Sequence, residues 1–133
     1  MRPSLVLAVL LAGCGPQQDP KQLALGASVY AQHCAVCHGA KLEGQPEWRK
    51  RMPNGRFPAP PHDESGHTWH HPDEVLFGIT KHGLVPPYAP AGYQSDMPAF
   101  AGKLSDDEIR SVLDYIRSRW PGEVLKLRAE MLK

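Results

Sequence analysis

Two cysteines and a histidine at one point of the chain constrain its fold more than any other feature. Cys34 and Cys37 are three positions apart, and His38 follows directly. Two thiols at this spacing can bond the two vinyl groups of one porphyrin, and the adjacent imidazole then lies under the iron. A Cys-x-x-Cys-His run is the attachment signature of a c-type haem. The sequence therefore predicts one covalent haem c, with thioether bonds to Cys34 and Cys37 and with His38 as the proximal iron ligand.

Two other uses of paired cysteines fit the sequence less well. A structural zinc site needs four ligands, but the chain has no second Cys-x-x-Cys, and His67 and His71 do not follow at zinc-finger spacing. A thioredoxin-like redox pair belongs to a βαβ unit, and no strand pattern flanks this motif.

The length and composition indicate a single small domain. The chain has 133 residues, 41% of them hydrophobic, and its 14 prolines and 12 glycines predict long loops around short helices. A buried porphyrin would supply much of the core in a domain of this size.

The first residues have the pattern of an export signal. Arg2 precedes a short apolar run, and Leu11-Ala12-Gly13-Cys14 resembles a bacterial lipobox. We predict a lipoprotein signal peptide over residues 1–13, with lipidation of Cys14 and a flexible tether over residues 14–22. An ordinary signal peptide with an incidental cysteine is the alternative. The expected location is the periplasmic side of a bacterial membrane, with the lipid as anchor.

The charge balance argues against nucleic acid as a partner. Cleavage before Cys14 would remove Arg2 from the 15 basic residues, leaving 14 basic against 14 acidic residues. Nucleic-acid binding depends on an excess of Lys and Arg near phosphates.

Three helices are predicted from periodicity and capping residues. The first runs from about Gln22 to His33, the second begins at Pro72 and stops before Gly83, and the third begins at Ser105 and ends before Pro121. The pattern over residues 121–133 predicts a helical extension. It would pack on the domain, on a membrane or on a partner.

Together with Cys34–His38, the Asp96-Met97-Pro98 segment resembles the single-haem class I cytochromes c. The resemblance covers residues 23–120 and implies an all-α cytochrome c fold, with three to five helices and long loops around one covalent haem. It implies Met97 as the distal iron ligand, a soft thioether that raises the reduction potential. His82 or a histidine of residues 62–71 is the alternative ligand, and Met52 is a weaker one.

The same resemblance implies contacts around the haem. Gly26 and Tyr30 resemble the pattern by which the first helix crosses the last. A carbonyl of Pro58, Pro60 or Pro61 would accept a hydrogen bond from His38, and the sequence does not choose among the three. Trp69 or a nearby histidine would donate to a haem propionate.

Two charged or polar stretches allow more than one interpretation. Arg49, Lys50, Arg51 and Arg56 form a basic run that is a solvated face, a docking patch for an acidic redox partner, or a charge partner for a propionate. Residues 62–71 contain four histidines that rim the haem or bind copper, namely His62, His67, His70 and His71.

Two strong axial ligands leave no open position for a substrate on the iron. The sequence therefore predicts a one-electron carrier, not an enzyme, that exchanges electrons with unidentified redox proteins. The alternatives are a haem enzyme or sensor with a labile sixth ligand, and a periplasmic copper-handling protein.

Overall fold

The computed structural model describes residues 18–133, so the predicted signal peptide and Cys14 lie outside the described residues. The described chain forms five α-helices: α1 Pro20–Val29, α2 Ala35–His38, α3 Asp73–His82, α4 Asp106–Ser118 and α5 Gly122–Met131. It contains no strand, and its one β-bridge joins Ala101 to Leu104. The predicted all-α cytochrome c fold is confirmed. Within residues 18–133, none of the helices is both long and apolar enough to span a bilayer.

The first helical segment begins earlier and continues further than its sequence pattern predicts. The Asp19 side chain accepts a hydrogen bond from the backbone N–H of Lys21 at 2.9 Å, and Pro20 occupies the first turn. This cap starts α1 two residues before Gln22. After Val29 the chain continues through a π-helical turn, Tyr30–Cys34, into α2, which ends at His38.

Helices α1 and α4 cross with almost no space between their backbones. A Cβ atom on Gly26 would lie 2.0 Å from the Ser111 carbonyl oxygen and 2.8 Å from the Cβ of Tyr115. One turn further, the rings of Tyr30 and Tyr115 have centroids 5.6 Å apart. The crossing predicted for Gly26 and Tyr30 is therefore present.

The inner face of α4 supplies part of the core. Ile109, Val112 and Ile116 are buried at helical spacing. The predicted capping box is present, because the Ser105 hydroxyl accepts from the Glu108 N–H at 3.2 Å and the Glu108 carboxylate accepts from the Ser105 N–H at 2.8 Å. α4 ends at Ser118, slightly earlier than Pro121 alone predicts.

The C-terminal extension packs on the domain. α5 follows Pro121 and lies against the short 3₁₀ turn Thr68–His70. Its Arg128 guanidinium donates to the His71 carbonyl oxygen at 2.6 Å and to the Asp73 carboxylate at 2.7 Å. The extension thereby touches the chain segment that leads into α3.

Candidate cofactor site

One cavity of about 620 Å³ opens between the cysteine motif and two long loops, one between α2 and α3 and the other between α3 and α4. Its size lies within the roughly 300–1,000 Å³ of protein sites for small molecules and cofactors. Most of the exposed wall is apolar. Side chains from α2, α3, α4 and both loops reach it, so residues that are distant in sequence converge on one space.

The helical backbone brings the cysteine motif to this cavity. Cys34 ends the π-helical turn, while Cys37 and His38 lie at the end of α2, and all three side chains line the wall. Residues three and four apart share one side of a helix, which explains why the thiols and the imidazole face the same space. Burial, and to a lesser degree Cys37, raises the pKa of the Cys34 thiol to about 11.

The His38 ring is held in one tautomer. Its Nδ1 donates to the carbonyl oxygen of Pro60 at 2.8 Å, because a carbonyl can only accept. Burial lowers the pKa of His38, and the hydrogen bond to Pro60 opposes this shift in part. The imidazole is therefore neutral at neutral pH, and its Nε2 is free to bind a metal.

Met97 reaches the same cavity from the loop that follows α3. Its N–H donates to the Ser95 hydroxyl at 3.1 Å, and the neighbouring Asp96 carboxylate pairs with Arg56. The Phe100 N–H donates to the Thr80 carbonyl at 3.1 Å, which ties the loop to α3. The residue that sequence favours as the second axial ligand thus lies on the cavity wall.

A second methionine and several histidines also line the cavity. Met52 is on the wall, although its position before α3 made it a weaker candidate on sequence. His62, His67 and His71 are there as well, whereas His70 and His82 are not lining residues. Which loop residues face inward depends on the path of the chain through residues 41–71, and no periodic pattern encodes that path.

The polar part of the wall contains a contiguous group of three side chains. The Trp48 and His67 rings are stacked with centroids 5.4 Å apart, and the Arg49 guanidinium lies 4.1 Å from the Trp48 ring centroid. Burial lowers the pKa of His67, with smaller contributions from His71, His70 and Arg49. At neutral pH this group therefore presents a neutral imidazole and one permanent cation.

Trp69 lies outside this group. It does not line the cavity, and its indole N–H donates to the Glu64 carbonyl oxygen at 3.3 Å. Trp48 lines the cavity instead, and the propionate contact expected of Trp69 stays a prediction. The sequence signal for this group is the aromatic Trp48 directly before Arg49.

The histidines of residues 62–71 do not form a metal-binding cluster. The rings of His67 and His71 have centroids 5.5 Å apart, but within residues 18–133 no three His, Cys, Asp or Glu side chains are grouped as metal ligands. Copper binding stays a prediction without a coordination site in the described chain.

The residues on the wall fit a c-type haem. Paired thiols, a neutral imidazole with a free Nε2 and a thioether are the groups that hold such a haem, and here they share a largely apolar cavity. Comparison with known families agrees, because the Cytochrome c family model matches residues 23–120. The chain belongs to the cytochrome c family.

Curated relatives in this family are larger proteins. The chain is 30% identical over 95 residues to the gluconate 2-dehydrogenase cytochrome c subunit of Pantoea cypripedii, covering 71% of this chain and 20% of the relative. It is 30% identical over 103 residues to the cytochrome c subunit of the quinone alcohol dehydrogenase of Gluconobacter oxydans (strain 621H), covering 74% and 20%. The chain thus spans about a fifth of the length of these relatives. No solved structure gives a significant match.

Proposed function

We propose that this cytochrome c family protein is a one-electron carrier with a single covalent haem ligated by His38 and Met97. The observation that most supports the proposal is the convergence of Cys34, Cys37, His38 and Met97 on one cavity of about 620 Å³. The thiols and the imidazole come from one helical segment and the thioether from a loop after α3. Such an arrangement would hold one bound group from two separate parts of the chain.

The residues around the cavity would restrict the chemistry to electron exchange. A bound haem supplies a ferrous–ferric couple. His38 and Met97 would occupy both axial positions, which leaves no site for dioxygen or peroxide. The apolar wall excludes water, and the hydrogen bond from His38 to Pro60 makes the imidazole a more basic ligand. These features favour a carrier over an enzyme.

Part of the attachment motif lies at the protein surface. Cys37 is exposed and Val36 is 85% exposed. A redox partner that docks over Val36 would approach the porphyrin edge at the thioether bond. Because the relatives are cytochrome c subunits of dehydrogenases, we propose an electron-donating dehydrogenase as the partner.

Arg49 and Trp48 would hold the haem carboxylates. The Arg49 guanidinium and the Trp48 indole N–H are hydrogen-bond donors on the cavity wall, and Arg49 adds a positive charge. This assignment replaces Trp69 with residues that line the cavity.

The first experiment compares absorption spectra of the haem-loaded protein with those of Met97→Ala and Met52→Ala variants. Both methionines line the cavity, so Met52→Ala is a matched control. The parent and Met52→Ala should show the weak sulfur-to-iron band of the ferric state at the red end of the visible spectrum. Met97→Ala should lose this band and show a lower reduction potential, because thioether ligation raises the potential.

The other outcomes assign the sixth position differently. Loss of the band in Met52→Ala, with Met97→Ala unchanged, would make Met52 the ligand. A low-spin parent without the band would indicate a second histidine. A high-spin parent would contradict the electron-carrier proposal and favour a haem enzyme or sensor.

We also propose that the protein is anchored by a lipid on Cys14, on the periplasmic side of a bacterial membrane. The lipobox-like Leu11–Cys14 run supports this location. Intact-mass analysis of the exported protein should give the mass of a chain that begins at Cys14 and carries acyl groups. A Cys14→Ser variant should be released from the membrane. An unmodified cysteine in the mature parent would contradict the anchor.

A further inference from the structure

The proximal histidine of the proposed haem site lies against a second imidazole. The rings of His38 and His62 have centroids 3.9 Å apart and planes inclined by 24°, which is a stacked arrangement. Both side chains line the cavity. Nothing in the attachment motif requires an aromatic neighbour for His38, so the role of His62 is a separate question.

His62 is itself held at both its ring and its backbone. Its Nδ1 lies 2.7 Å from the Thr68 hydroxyl oxygen, and this hydroxyl donates to the Pro61 carbonyl oxygen at 3.4 Å. Because the Thr68 proton points to Pro61, Nδ1 of His62 is the donor in the first bond. The Trp120 indole N–H donates to the His62 carbonyl oxygen at 2.7 Å. The His62 imidazole is therefore held in one position.

The hydrogen bond to Pro60 leaves one motion of His38 open. A single hydrogen bond from Nδ1 directs that nitrogen, but it tolerates small departures from linearity, so the ring can still rotate over a small range about its Cβ–Cγ bond. A flat ring stacked at 3.9 Å opposes this rotation, because turning His38 would bring its edge into His62.

We propose that His62 is a positioning residue that fixes the plane of the His38 imidazole. The inference rests on the proposed function, because the plane of His38 matters once the ring binds iron. The orientation of an axial imidazole sets how its π orbitals overlap the iron d orbitals. It therefore affects the g values of low-spin ferric iron and the reduction potential, and outer contacts of this kind tune metal sites.

Three variants and one control test the inference. His62→Leu removes the flat ring, His62→Phe restores a flat ring without the hydrogen bond, and Thr68→Val removes the bond that holds His62. His70→Ala is the matched control, because His70 lies on the same loop, is exposed and does not line the cavity. The readouts are the ferric electron paramagnetic resonance spectrum and the reduction potential of each haem-loaded protein.

We expect the parent, His70→Ala and His62→Phe to give one narrow set of g values. His62→Leu should shift and broaden that set and change the potential, and Thr68→Val should do so to a smaller extent. A folded, haem-loaded His62→Leu variant with the g values of the parent would overturn the inference. If His62→Leu does not fold, Thr68→Val decides the matter, and a spectrum identical to that of His70→Ala overturns it.

Failure of the proposed function gives a different result. A high-spin parent contradicts His38/Met97 ligation but leaves the His38 ring on the iron. His62→Leu and His70→Ala are then compared by the iron–imidazole stretching band in the resonance Raman spectrum of the ferrous protein. A frequency shift in His62→Leu but not in His70→Ala supports the positioning role, and equal frequencies overturn it.

Discussion

At the scale of single residues, Arg49 controls how much positive charge faces the cavity. Its guanidinium stacks on Trp48 at 4.1 Å, while burial lowers the pKa of the nearby His67 and keeps that imidazole neutral at neutral pH. Replacing Arg49 with Gln should therefore stabilise the ferric state and lower the reduction potential. An exposed charge interaction contributes about 0.2–1 kcal/mol. For a one-electron couple, a tenfold change in the equilibrium constant corresponds to about 59 mV. The expected fall is tens of millivolts.

Potentiometric titration at low and high salt checks this prediction. Lys50→Gln is the control, because Lys50 is the next basic residue along the chain, is exposed, and pairs with Glu47 away from the wall. The Arg49 effect should shrink at high salt, since salt screens exposed charges. Equal shifts in the two variants would show that general surface charge, not Arg49, sets the potential.

The sequence is most informative where chemistry demands a fixed local spacing. Cys34, Cys37 and His38 are recognisable because their spacing places them on one side of a helical segment, and all three line the cavity. Met97, which its neighbours and its place in the chain single out, also lines the cavity. The stacking of His62 on His38 is not predictable in this way, because it depends on how a loop without periodic structure folds back on α2.

At the scale of elements, the α1–α4 crossing depends on Gly26. A Cβ there would lie 2.0 Å from the Ser111 carbonyl oxygen, which belongs to a helix backbone and cannot move aside alone. Gly26→Ala should lower the free energy of unfolding by about 1–3 kcal/mol, the usual cost of overpacking. This loss should exceed the gain of up to about 1 kcal/mol from alanine's helix propensity.

Thermal unfolding measures this effect as a fall in Tm of several degrees. Gly122→Ala provides the control, because a Cβ on Gly122 meets no atom within 4 Å. A Gly26→Ala variant as stable as Gly122→Ala would mean that the two helices can separate at no cost, contrary to the close crossing.

The N-terminus of α4 should carry a pH-dependent part of the stability. Hydrogen bonds from the Ser105 N–H and hydroxyl lower the pKa of Glu108. A carboxylate with a pKa lower in the folded than in the unfolded state stabilises the fold above the unfolded pKa. This contribution is lost as the pH falls through the folded pKa. The parent should therefore unfold at a higher temperature than Glu108→Gln at pH 7.

Melting curves between neutral pH and about pH 3, below the ordinary Glu pKa of about 4.3, should show the two proteins converging. Glu130→Gln, at an exposed position of α5, controls for the loss of one negative charge. A difference between the parent and Glu108→Gln that persists unchanged at the acidic end would exclude the carboxylate as its source.

Helix existence is more predictable than helix bounds. The Ser105–Glu108 capping box and the apolar spacing that follows it locate α4 correctly. The break of the first helical segment into α1, a π-helical turn and α2 was not predicted. A π-helical turn leaves no signal in a 3.6-residue pattern. Nor does such a pattern encode the 2.8 Å hydrogen bond from the Tyr30 hydroxyl, at the start of this turn, to the Gly39 carbonyl oxygen.

At the scale of the whole molecule, the cavity is lined by parts of the chain that are distant from one another in sequence. The attachment motif, residues 62–71 (the histidine loop) and the loop that carries Met97 meet around it, and α5 supports the histidine loop from outside. The sequence predicted a helical extension over residues 121–133 but left its contacts open. Arg128 and His71 are 57 positions apart, so no local pattern could pair them.

Arg128 should therefore couple the C-terminal helix to the cavity wall. Its side chain is only 11% exposed, and it bonds both the His71 carbonyl oxygen and the Asp73 carboxylate. Arg128→Ala should lower the free energy of unfolding by about 1.5–3 kcal/mol, as for hydrogen bonds to a charged group. Hydrogen exchange should accelerate in α5 and in residues 66–71 together, because the same side chain holds both.

Lys126→Ala, at an exposed position of α5, should leave both segments protected. If Arg128→Ala accelerates exchange in α5 alone, then α5 rests on the domain without supporting the histidine loop, and the wall of the cavity is independent of the C-terminal extension.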